Sequence, residues 1–564
     1  MAFGGNDGLA NFPERARIMT VKQSPHERVK ICPSASGDAN RSQAEPTATS
    51  PSRRGFLKSA SGAGVVSAAA SLGLGGLLAV PGQVQASGTG RSRLDQRRED
   101  FFQIRLQAAR IHGRGDTYPN HKDNGDEKRY ADHRASFFKC LPQNDLGEVD
   151  GDAYGAYRKA MRSGKPADFE RIPLSPEATR RLANPQAAYA FDLAGRDSWA
   201  TDLPPAPTFA SAENAAEIGE AYWQALTREV AFIEYPDDAT TAAAIVDLNS
   251  SFSDIRAPIC GGQITAETLF RGGIRGDLTG PYLSQFLWHD VHYGLSVIEQ
   301  RYPVPFAVDY MTDYAEWLAI QRGAAPLSEL MFDATPRYLH NGRALGAYVQ
   351  NDTLFQAFFN AALIIDRFGP DAVDSGNPYL RSASQEGFAT FGTPHFYDMV
   401  TRAARLGIEA AWFHKWLVHR RLRPEVFAGR IQIQREGIKD YDVHPDILAS
   451  EAIDQLLTRY GTALLPQAYP EGSPTHPSYP AGHAAVSGAC ATVLKAFTNE
   501  DFIIPNPVQA SADGLYLQPW TDSDLTLADE INKLASNIMM ARCHAGVHYR
   551  SNGKGLAVGE AMAI

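Results

Sequence analysis

Residues 526–542 carry the clearest helical pattern of the chain, and they read Thr-Leu-Ala-Asp-Glu-Ile-Asn-Lys-Leu-Ala-Ser-Asn-Ile-Met-Met-Ala-Arg. Apolar residues recur there at intervals of three or four, the spacing of one helical face: Leu527, Ile531, Leu534 and Ile538. Thr526 followed three residues later by Asp529 is typical of a capped helix start. The next position on the apolar face is Arg542. The stretch therefore predicts a core helix that carries a cation inward.

The same spacing continues through most of the chain and predicts a mainly α protein. We expect helical bundles, with two cores that resemble four-helix bundles and few short strands. Helices are predicted near residues 98–112, from about 211 to 233, and at 354–368, 398–420, 446–459, 482–497 and 526–543. The helix at 354–368 follows Asn351-Asp352-Thr353, which is a start signal. Residues 87–210 are polar and predict an irregular wrapping segment, whereas residues 211–564 hold the bundles.

Composition excludes several classes of protein. The chain has 564 residues, of which 44% are hydrophobic and 21% are charged, so a collagen-like, coiled-coil or wholly disordered chain is excluded. The formal net charge of −10 argues against nucleic acid as a partner. Five cysteines cannot form a dense disulfide scaffold in a chain of this length.

The amino-terminal residues predict an export signal. Residues 1–51 are polar and predict a disordered leader, and residues 52–86 are predicted to be a twin-arginine signal peptide. Its parts occur in order along the chain: Ser52-Arg53-Arg54-Gly55-Phe56-Leu57-Lys58, an apolar run over 60–80, and the cleavage site Val84-Gln85-Ala86. The alternative is a membrane helix, but the run is rich in Gly, Ala and Ser and makes a poor span. We therefore expect a periplasmic or extracellular mature form that does not span the membrane.

Three predicted helices direct a cation or a histidine toward an apolar face. Lys415 shares a face with Ile408 and Trp412. His483 opens its helix, and Arg542 continues the apolar face of the last one. Burying one unpaired charge costs several kcal/mol, and each group could instead meet its own acid or extend to solvent. Three such groups together favour a shared anion.

Neighbouring residues arrange these groups into three ordered motifs. In residues 415–424, proline disfavours helix at Arg423 and lets its guanidinium turn away from the helix axis. Residues 476–483 form a turn with Pro and Gly that leads into a helix start, where amides attract anions. Residues 542–548 add Arg and His. No acidic pair or Cys/His zinc spacing accompanies them, so the set predicts a site for a compact tetrahedral oxyanion.

The motifs resemble the tripartite signature of the vanadium-dependent haloperoxidases, carried by these residues: Lys415 with Arg423-Pro424, Pro477-Ser478 with Gly482-His483, and Arg542 with His548. The same signature marks their relatives, the type-2 phosphatidic acid phosphatases and the bacterial acid phosphatases. Seven residues between the first Lys and Arg are similar to the algal bromoperoxidase branch, whereas the phosphatases usually have six. Flanking stretches are also similar to red-algal bromoperoxidases: 280–285, 419–425, 471–474 and 545–549. The likeness runs from about residue 93 to the end.

The resemblance implies that the cofactor is vanadate and not haem. His548 would bond vanadium through a ring nitrogen. The oxygens of vanadate would be held by groups from all three motifs: Lys415, Arg423, the amide of Gly482, His483 and Arg542. His483 would be the acid–base residue, and with Lys415 and His548 it would carry catalysis. The vanadate site would then lie in the C-terminal half of the catalytic region, residues 211–564.

Some positions near these residues differ between branches of the family. His476 matches a second histidine of the bromoperoxidases, where fungal chloroperoxidases carry Phe. Trp412 resembles the chloroperoxidases instead, so the two indicators of halide preference conflict. Ala481 stands where the family commonly has Ser, which removes one hydrogen bond to vanadate. Residues 317–325 align with a calcium-binding stretch of red-algal members but lack its aspartates, so no calcium is predicted there.

The resemblance implies a peroxidase. It would oxidise bromide, or another halide, with hydrogen peroxide to hypohalous acid, which halogenates a small organic acceptor. Lys415 would polarise the activated oxygen and His483 would assist proton transfer. The resemblance also implies a homo-oligomer. Two alternatives stay open: an exported acid phosphatase with His548 as nucleophile, and a non-enzymatic oxyanion-binding protein, which Ala481 suggests.

Overall fold

The computed structural model describes residues 92–115, 118–192 and 195–564. The predicted leader and signal peptide, residues 1–51 and 52–86, lie outside the described residues. None of the described helices is long and apolar enough to cross a membrane.

The described chain is mainly helical, as predicted. In chain order its α-helices are α1 (Arg93–Gly115), α2 (Asp126–Arg129), α3 (Gly151–Ser163), α4 (Pro166–Phe169), α5 (Ala212–Leu226), α6 (Ala239–Ser250), α7 (Tyr314–Gln321), α8 (Gly342–Asn351), α9 (Gln356–Asp366), α10 (Thr393–Phe413), α11 (Pro424–Arg435), α12 (Pro445–Leu448), α13 (Glu451–Tyr460), α14 (Gly482–Phe497), α15 (Leu527–His544) and α16 (Gly555–Ala563). A π-helical turn covers His414–His419. Two small antiparallel sheets pair β1 (Val291–Tyr293) with β2 (Ser296–Ile298), and β3 (Val508–Ala510) with β4 (Leu517–Pro519).

Side-chain caps fix several of these helices where the sequence indicates. The Thr526 side chain accepts a hydrogen bond from the Asp529 amide and begins α15, as predicted. Ser211 caps α5, and Ser450 caps α13. Each cap satisfies one of the amides that a helix start leaves without an intrahelical partner.

The helices form two packed clusters that share one apolar core. In the carboxyl-terminal cluster α14 packs against α10, α15 and α16. The backbones of α14 and α16 approach closely because Gly488 and Gly559 lie at their crossing, where a Cβ would overlap the carbonyl oxygens of Leu556 and Ala485. In the other cluster α5 packs against α6, α11, α12 and α13. Helix α15 contacts α5 and joins the two clusters.

Three predicted helices differ from the observed ones, and the structure adds helices that were not predicted. The helix at 446–459 is two, α12 and α13, because Ser450 begins a new helix. The helix predicted from about 211 to 233 ends earlier, since α5 stops at Leu226. In the segment 87–210, which was expected to be irregular apart from one helix near 98–112, α3 runs for 13 residues from its Asp150 cap.

The predicted helix at 398–420 changes character before its end. Helix α10 stops at Phe413, and the π-helical turn carries Lys415. Arg420 then has a φ of 40°, in the left-handed region, and breaks the helix before Pro424. Its guanidinium stabilises the break, since it donates to the Trp416 carbonyl and pairs with Glu127 at 2.7 Å. The backbone of Arg423 is extended, and Pro424 begins α11 directly after it. Arg423 therefore lies outside both helices, as predicted from the proline.

Candidate oxyanion site

Three cations from separate elements lie buried together in the carboxyl-terminal half. Lys415 and Arg423 are fully buried, and Arg542 is 7% exposed. Burial, together with the charges of Arg423 and Arg542, holds the pKa of Lys415 well below its ordinary value. Burial and the charge of Arg542 lower the pKa of the Arg423 guanidinium to about 9. The three predicted cations therefore form one cluster.

Backbone carbonyls, not carboxylates, satisfy part of this cluster. Lys415 donates to the carbonyls of Pro477 and Ser478, at 2.6 and 3.1 Å. Arg423 donates to the Val547 carbonyl at 2.8 Å, and Arg542 donates to that of Val349 at 3.0 Å. Among the described ion pairs none includes any of the three cations. The Nε atom of Arg542 is buried without a hydrogen-bond partner in the described chain.

Some N–H groups of these cations are not used by the hydrogen bonds to backbone carbonyls. An ammonium group has three N–H donors and a guanidinium has five. Two carbonyls occupy Lys415, and one carbonyl occupies Arg542. Like charges without a counterion are costly in a buried site. The cluster is therefore complementary to an anion that accepts several hydrogen bonds.

His548 presents an unprotonated nitrogen to the cluster. The side-chain oxygen of Asn552 accepts from the Tyr549 amide at 3.1 Å and also faces His548 Nδ1 at 2.7 Å. Because that oxygen can only accept, Nδ1 carries the proton. The Nε2 atom then has a lone pair, and it lies 2.9 Å from a nitrogen of Arg423, which can only donate. Burial and the neighbouring cations keep the pKa of His548 far below its ordinary value.

His476 lies on another side of the same guanidinium. Arg423 donates to His476 Nδ1 and to the His476 carbonyl oxygen, both at 2.9 Å. The ring of His476 lies 4.8 Å from that of Trp412. The indole of Trp412 donates to the Ala183 carbonyl at 3.1 Å, so the amino-terminal segment holds this ring in place. Trp412 and His476, which gave conflicting indications of halide preference, therefore form one wall of the site.

His483 is paired with a carboxylate that the sequence analysis did not identify as functional. Its Nε2 atom lies 3.2 Å from Asp352 Oδ1, and their side chains are 16% and 4% exposed. Burial lowers the pKa of His483, and the charge of Asp352 partly opposes that shift. Asn351-Asp352-Thr353 does not begin a helix, since α8 ends at Asn351 and α9 begins at Gln356. A lone Asp between two helices has the sequence signal of a cap, which is why its partner could not be predicted.

The start of α14 brings backbone amides to the site. Ala481 is the residue before the helix, is fully buried, and provides no side-chain cap. A side chain at Gly482 would come within 2.7 Å of Ile408 and 3.3 Å of Trp412, so only glycine leaves this approach open. The first amides of α14 stay available to an anion because Ala481 cannot accept from them.

A buried ion pair supports the Arg423 segment. Lys139 donates to Glu425 at 2.8 Å and to the Ser473 carbonyl at 2.7 Å, and both side chains are fully buried. The other oxygen of Glu425 accepts from the Ser473 amide. This pair connects the residues after Arg423 with the loop before His476. Lys139 lies almost 300 residues from Glu425, and no local pattern indicated it.

The residues present fit vanadate. The cations, the amides and the lone pair of His548 offer many donors to an oxyanion and one nitrogen to its central atom. Within the described ranges, no group of three His, Cys, Asp or Glu side chains could hold a metal cation. Phosphate has the same shape and charge as vanadate, so the geometry by itself accommodates both.

The chain is similar to known proteins well beyond the three motifs. Residues 403–564 match the family model of the VCPO second helical-bundle domain. A vanadium-dependent bromoperoxidase of Ascophyllum nodosum is 35% identical over 83% of this chain and 88% of its own. The vanadium-dependent bromoperoxidase of Corallina officinalis is 30% identical over 84% of this chain and 94% of its own. A homohexameric vanadate-dependent bromoperoxidase structure from Ascophyllum nodosum superposes with a TM-score of 0.79 at 30% identity, over 86% of this chain and 88% of that one.

The likeness covers the helical frame as well as the three motifs, and it extends over most of both chains. By sequence and by structure, this chain belongs to the vanadium haloperoxidase family.

Proposed function

We propose that the protein is a vanadate-dependent bromoperoxidase. It oxidises bromide with hydrogen peroxide to hypobromous acid, which halogenates a small organic acceptor. One observation carries the proposal. Three buried cations, none of which forms an ion pair within the described residues, lie around the lone pair of His548, in a fold whose relatives bear that activity in their names.

Vanadate bound in this cluster would supply a Lewis acid that makes hydrogen peroxide susceptible to attack by halide. The chain contributes the surroundings. Lys415 and Arg542 keep donors free for the oxyanion because backbone carbonyls occupy only part of each. These fixed donors stabilise negative charge that develops in a buried site. Asn552 orients His548 through Nδ1 at 2.7 Å, and the lone pair of Nε2, which Arg423 meets at 2.9 Å, would pass to vanadium when vanadate binds.

His483 moves the proton. Because the carboxylate of Asp352 accepts from Nε2, the Nδ1 atom is the ring nitrogen that can take up a proton. Burial keeps the pKa of His483 low, so the ring is neutral and ready to act as a base. A positioned acid–base residue typically contributes a factor of about 10²–10⁴ to the rate.

Halide preference depends on the wall formed by Trp412 and His476. We propose bromide as the preferred halide because the relatives are bromoperoxidases. Arg423 donates to His476 Nδ1 at 2.9 Å, a shorter contact than the 3.2 Å from the same nitrogen to the Pro477 carbonyl, and this favours the proton on Nε2, where it can be donated to an anion. Trp412 supplies an apolar surface beside it.

Assembly and location complete the proposal. The family member with a TM-score of 0.79 is a homohexamer, and we propose that this chain also forms a homo-oligomer. The twin-arginine pattern of residues 52–86 supports export of the folded enzyme to the periplasm or beyond.

The test compares two activities of one preparation. Enzyme loaded with vanadate should brominate monochlorodimedone when peroxide and bromide are present, and His548→Ala should not. Hydrolysis of p-nitrophenyl phosphate that needs His548, without bromination, would assign the site to a phosphatase instead. Binding of vanadate with neither activity would leave an oxyanion-binding protein.

A further inference from the structure

Arg421, which lies between Lys415 and Arg423 in the sequence, is a buried cation with a carboxylate partner. Its side chain is 3% exposed, and its guanidinium pairs with Glu217 of α5 at 3.0 Å. The two residues are 204 positions apart in the sequence. A cation that is neutralised in this way does not require a bound oxyanion. Arg421 therefore has a different task from its two neighbours.

Arg421 belongs to the first motif and contacts both of the other motif regions. Its carbonyl oxygen accepts from the Ser478 amide, in the second motif, at 3.1 Å. Its guanidinium lies 3.9 Å from the centre of the Tyr549 ring, and Tyr549 directly follows His548 of the third motif. The same guanidinium donates to the Ser551 hydroxyl at 2.8 Å. Arg421 therefore connects the three motifs.

Glu217 holds the turn that follows His548. One of its oxygens accepts from the Ser551 amide, and the other accepts from the Ser551 hydroxyl at 2.9 Å. Glu220 lies three residues later on the same face of α5. It accepts from two nitrogens of Arg550, at 2.8 Å from Nε. Two carboxylates of one helix therefore bind two successive residues of this turn.

Asn552, the next residue, passes the position of the turn to the site. Its amide donates to the Tyr549 carbonyl at 3.0 Å and closes the turn. Its side-chain oxygen accepts from His548 Nδ1 at 2.7 Å. Its carbonyl oxygen accepts from the Ala481 amide at 3.0 Å, directly before α14. The orientation of His548 and the start of α14 therefore both depend on where residues 549–552 lie.

We propose that Glu217 and Arg421 are positioning residues for vanadate binding. Glu217 fixes Arg421 and Ser551, these two fix the turn at 549–552, and Asn552 fixes the ring of His548. Partners that orient a ligand histidine from its far side commonly control how tightly the central atom is held. This inference rests on the vanadate site of the proposed function but not on the oxidation of halide.

The experiment measures the dissociation constant of orthovanadate for the apoprotein by equilibrium dialysis and elemental analysis, without peroxide or halide. Urea unfolding of each variant measures its stability. Glu217→Gln removes the charge that holds the arginine, and Ser551→Ala removes only the hydroxyl between the two. Asp247→Asn is the matched control. That carboxylate is also buried, lies on the neighbouring helix α6, and accepts from Trp223 and Ser450 instead.

We expect orthovanadate to bind Glu217→Gln about 10–100-fold more weakly than it binds the wild type, and Ser551→Ala to be weakened in the same direction. The control should lose stability and keep the wild-type affinity. Glu217→Gln combined with Arg421→Met leaves no charge unpaired, so stability should recover in part while the affinity stays weak.

Wild-type affinity in both Glu217→Gln and Ser551→Ala would overturn the proposal. Affinity that recovers together with stability in the double variant, or that is lost equally in the control, would also overturn it, because a purely structural pair behaves in that way. Weakened vanadate binding in a protein whose wild type does not brominate would refute the proposed reaction and support this inference.

Discussion

At the scale of residues, two histidines at the site have opposite tasks because their second nitrogens meet different partners. Asn552 fixes the proton of His548 on Nδ1 and leaves a lone pair on the side of the cations. Asp352 accepts from His483 and leaves a nitrogen that can exchange protons. Hydrogen bonds to the far side of a ring commonly fix the tautomer of a ligand histidine.

This difference predicts different outcomes for the two alanine variants. His548→Ala should lose tight retention of vanadate because it removes the coordinating nitrogen. His483→Ala should retain vanadate and lose turnover by a factor of about 10²–10⁴ because it removes the proton carrier. Elemental analysis after gel filtration, together with the bromination rate, measures both. Equal loss of vanadium in the two variants would contradict the division of roles.

Asp352→Asn should shift the pH dependence of turnover. The negative charge of Asp352 raises the pKa of His483 against the effect of burial. Without that charge the pKa falls further, so the limb of the pH–rate profile that reports His483 should move to lower pH. The turnover number should fall as well, since the ring is less well oriented. An unchanged profile would mean that the pair does not control His483.

Ala481→Ser should tighten vanadate binding. The buried methyl group of Ala481 precedes α14 and cannot donate to an oxyanion. A hydrogen bond to a charged group contributes roughly 1.5–3 kcal/mol, which corresponds to a factor of about ten or more in the dissociation constant. Titration of both apoenzymes with orthovanadate, without phosphate, measures it. An equal or weaker affinity in the Ser variant would show that the site has compensated.

At the scale of elements, the sequence predicted helices whose signals are local and missed features that depend on distant partners. Helices α14 and α15 agree with their apolar faces and starts. The break at Arg420 was not predictable, because its left-handed conformation depends on Glu127 almost 300 residues away. The sequence around Asp352 predicted a helix cap, because its partner His483 is also distant in the sequence. Lys415 and Arg542 were predicted to point inward, since each interrupts an apolar face, whereas Arg423 was predicted to turn away from its helix because Pro424 follows it.

The Lys139–Glu425 pair allows a test of one such distant partner. Lys139→Met should destabilise the protein by about 3–5 kcal/mol, because it leaves a buried carboxylate without its cation. The double variant with Glu425→Gln should recover part of that loss, since no charge then stays unpaired. Urea unfolding of the single and double variants measures the difference. A single variant as stable as the wild type would show that the pair is not a support for Arg423.

At the scale of the whole molecule, the cluster exists because three helical segments and an amino-terminal segment converge. Lys415 comes from the π-helical turn, Arg423 from the start of α11 and Arg542 from the end of α15. Residues 118–192 add supports such as Lys139 and Ala183. The motifs alone predicted which groups meet. They could not predict most of what holds those groups in place, since contacts such as those of Lys139 and Ala183 are long-range.

The vanadate-dependent bromoperoxidase assignment is tested most directly by titration of the metal-free protein with orthovanadate while bromination of monochlorodimedone is followed. Activity should return in proportion to vanadate, reach its limit near one vanadium per chain, and be suppressed when phosphate competes for Lys415, Arg423 and Arg542. Activity that returns with iron or haem but not with vanadate, or that phosphate leaves unaffected, would contradict it.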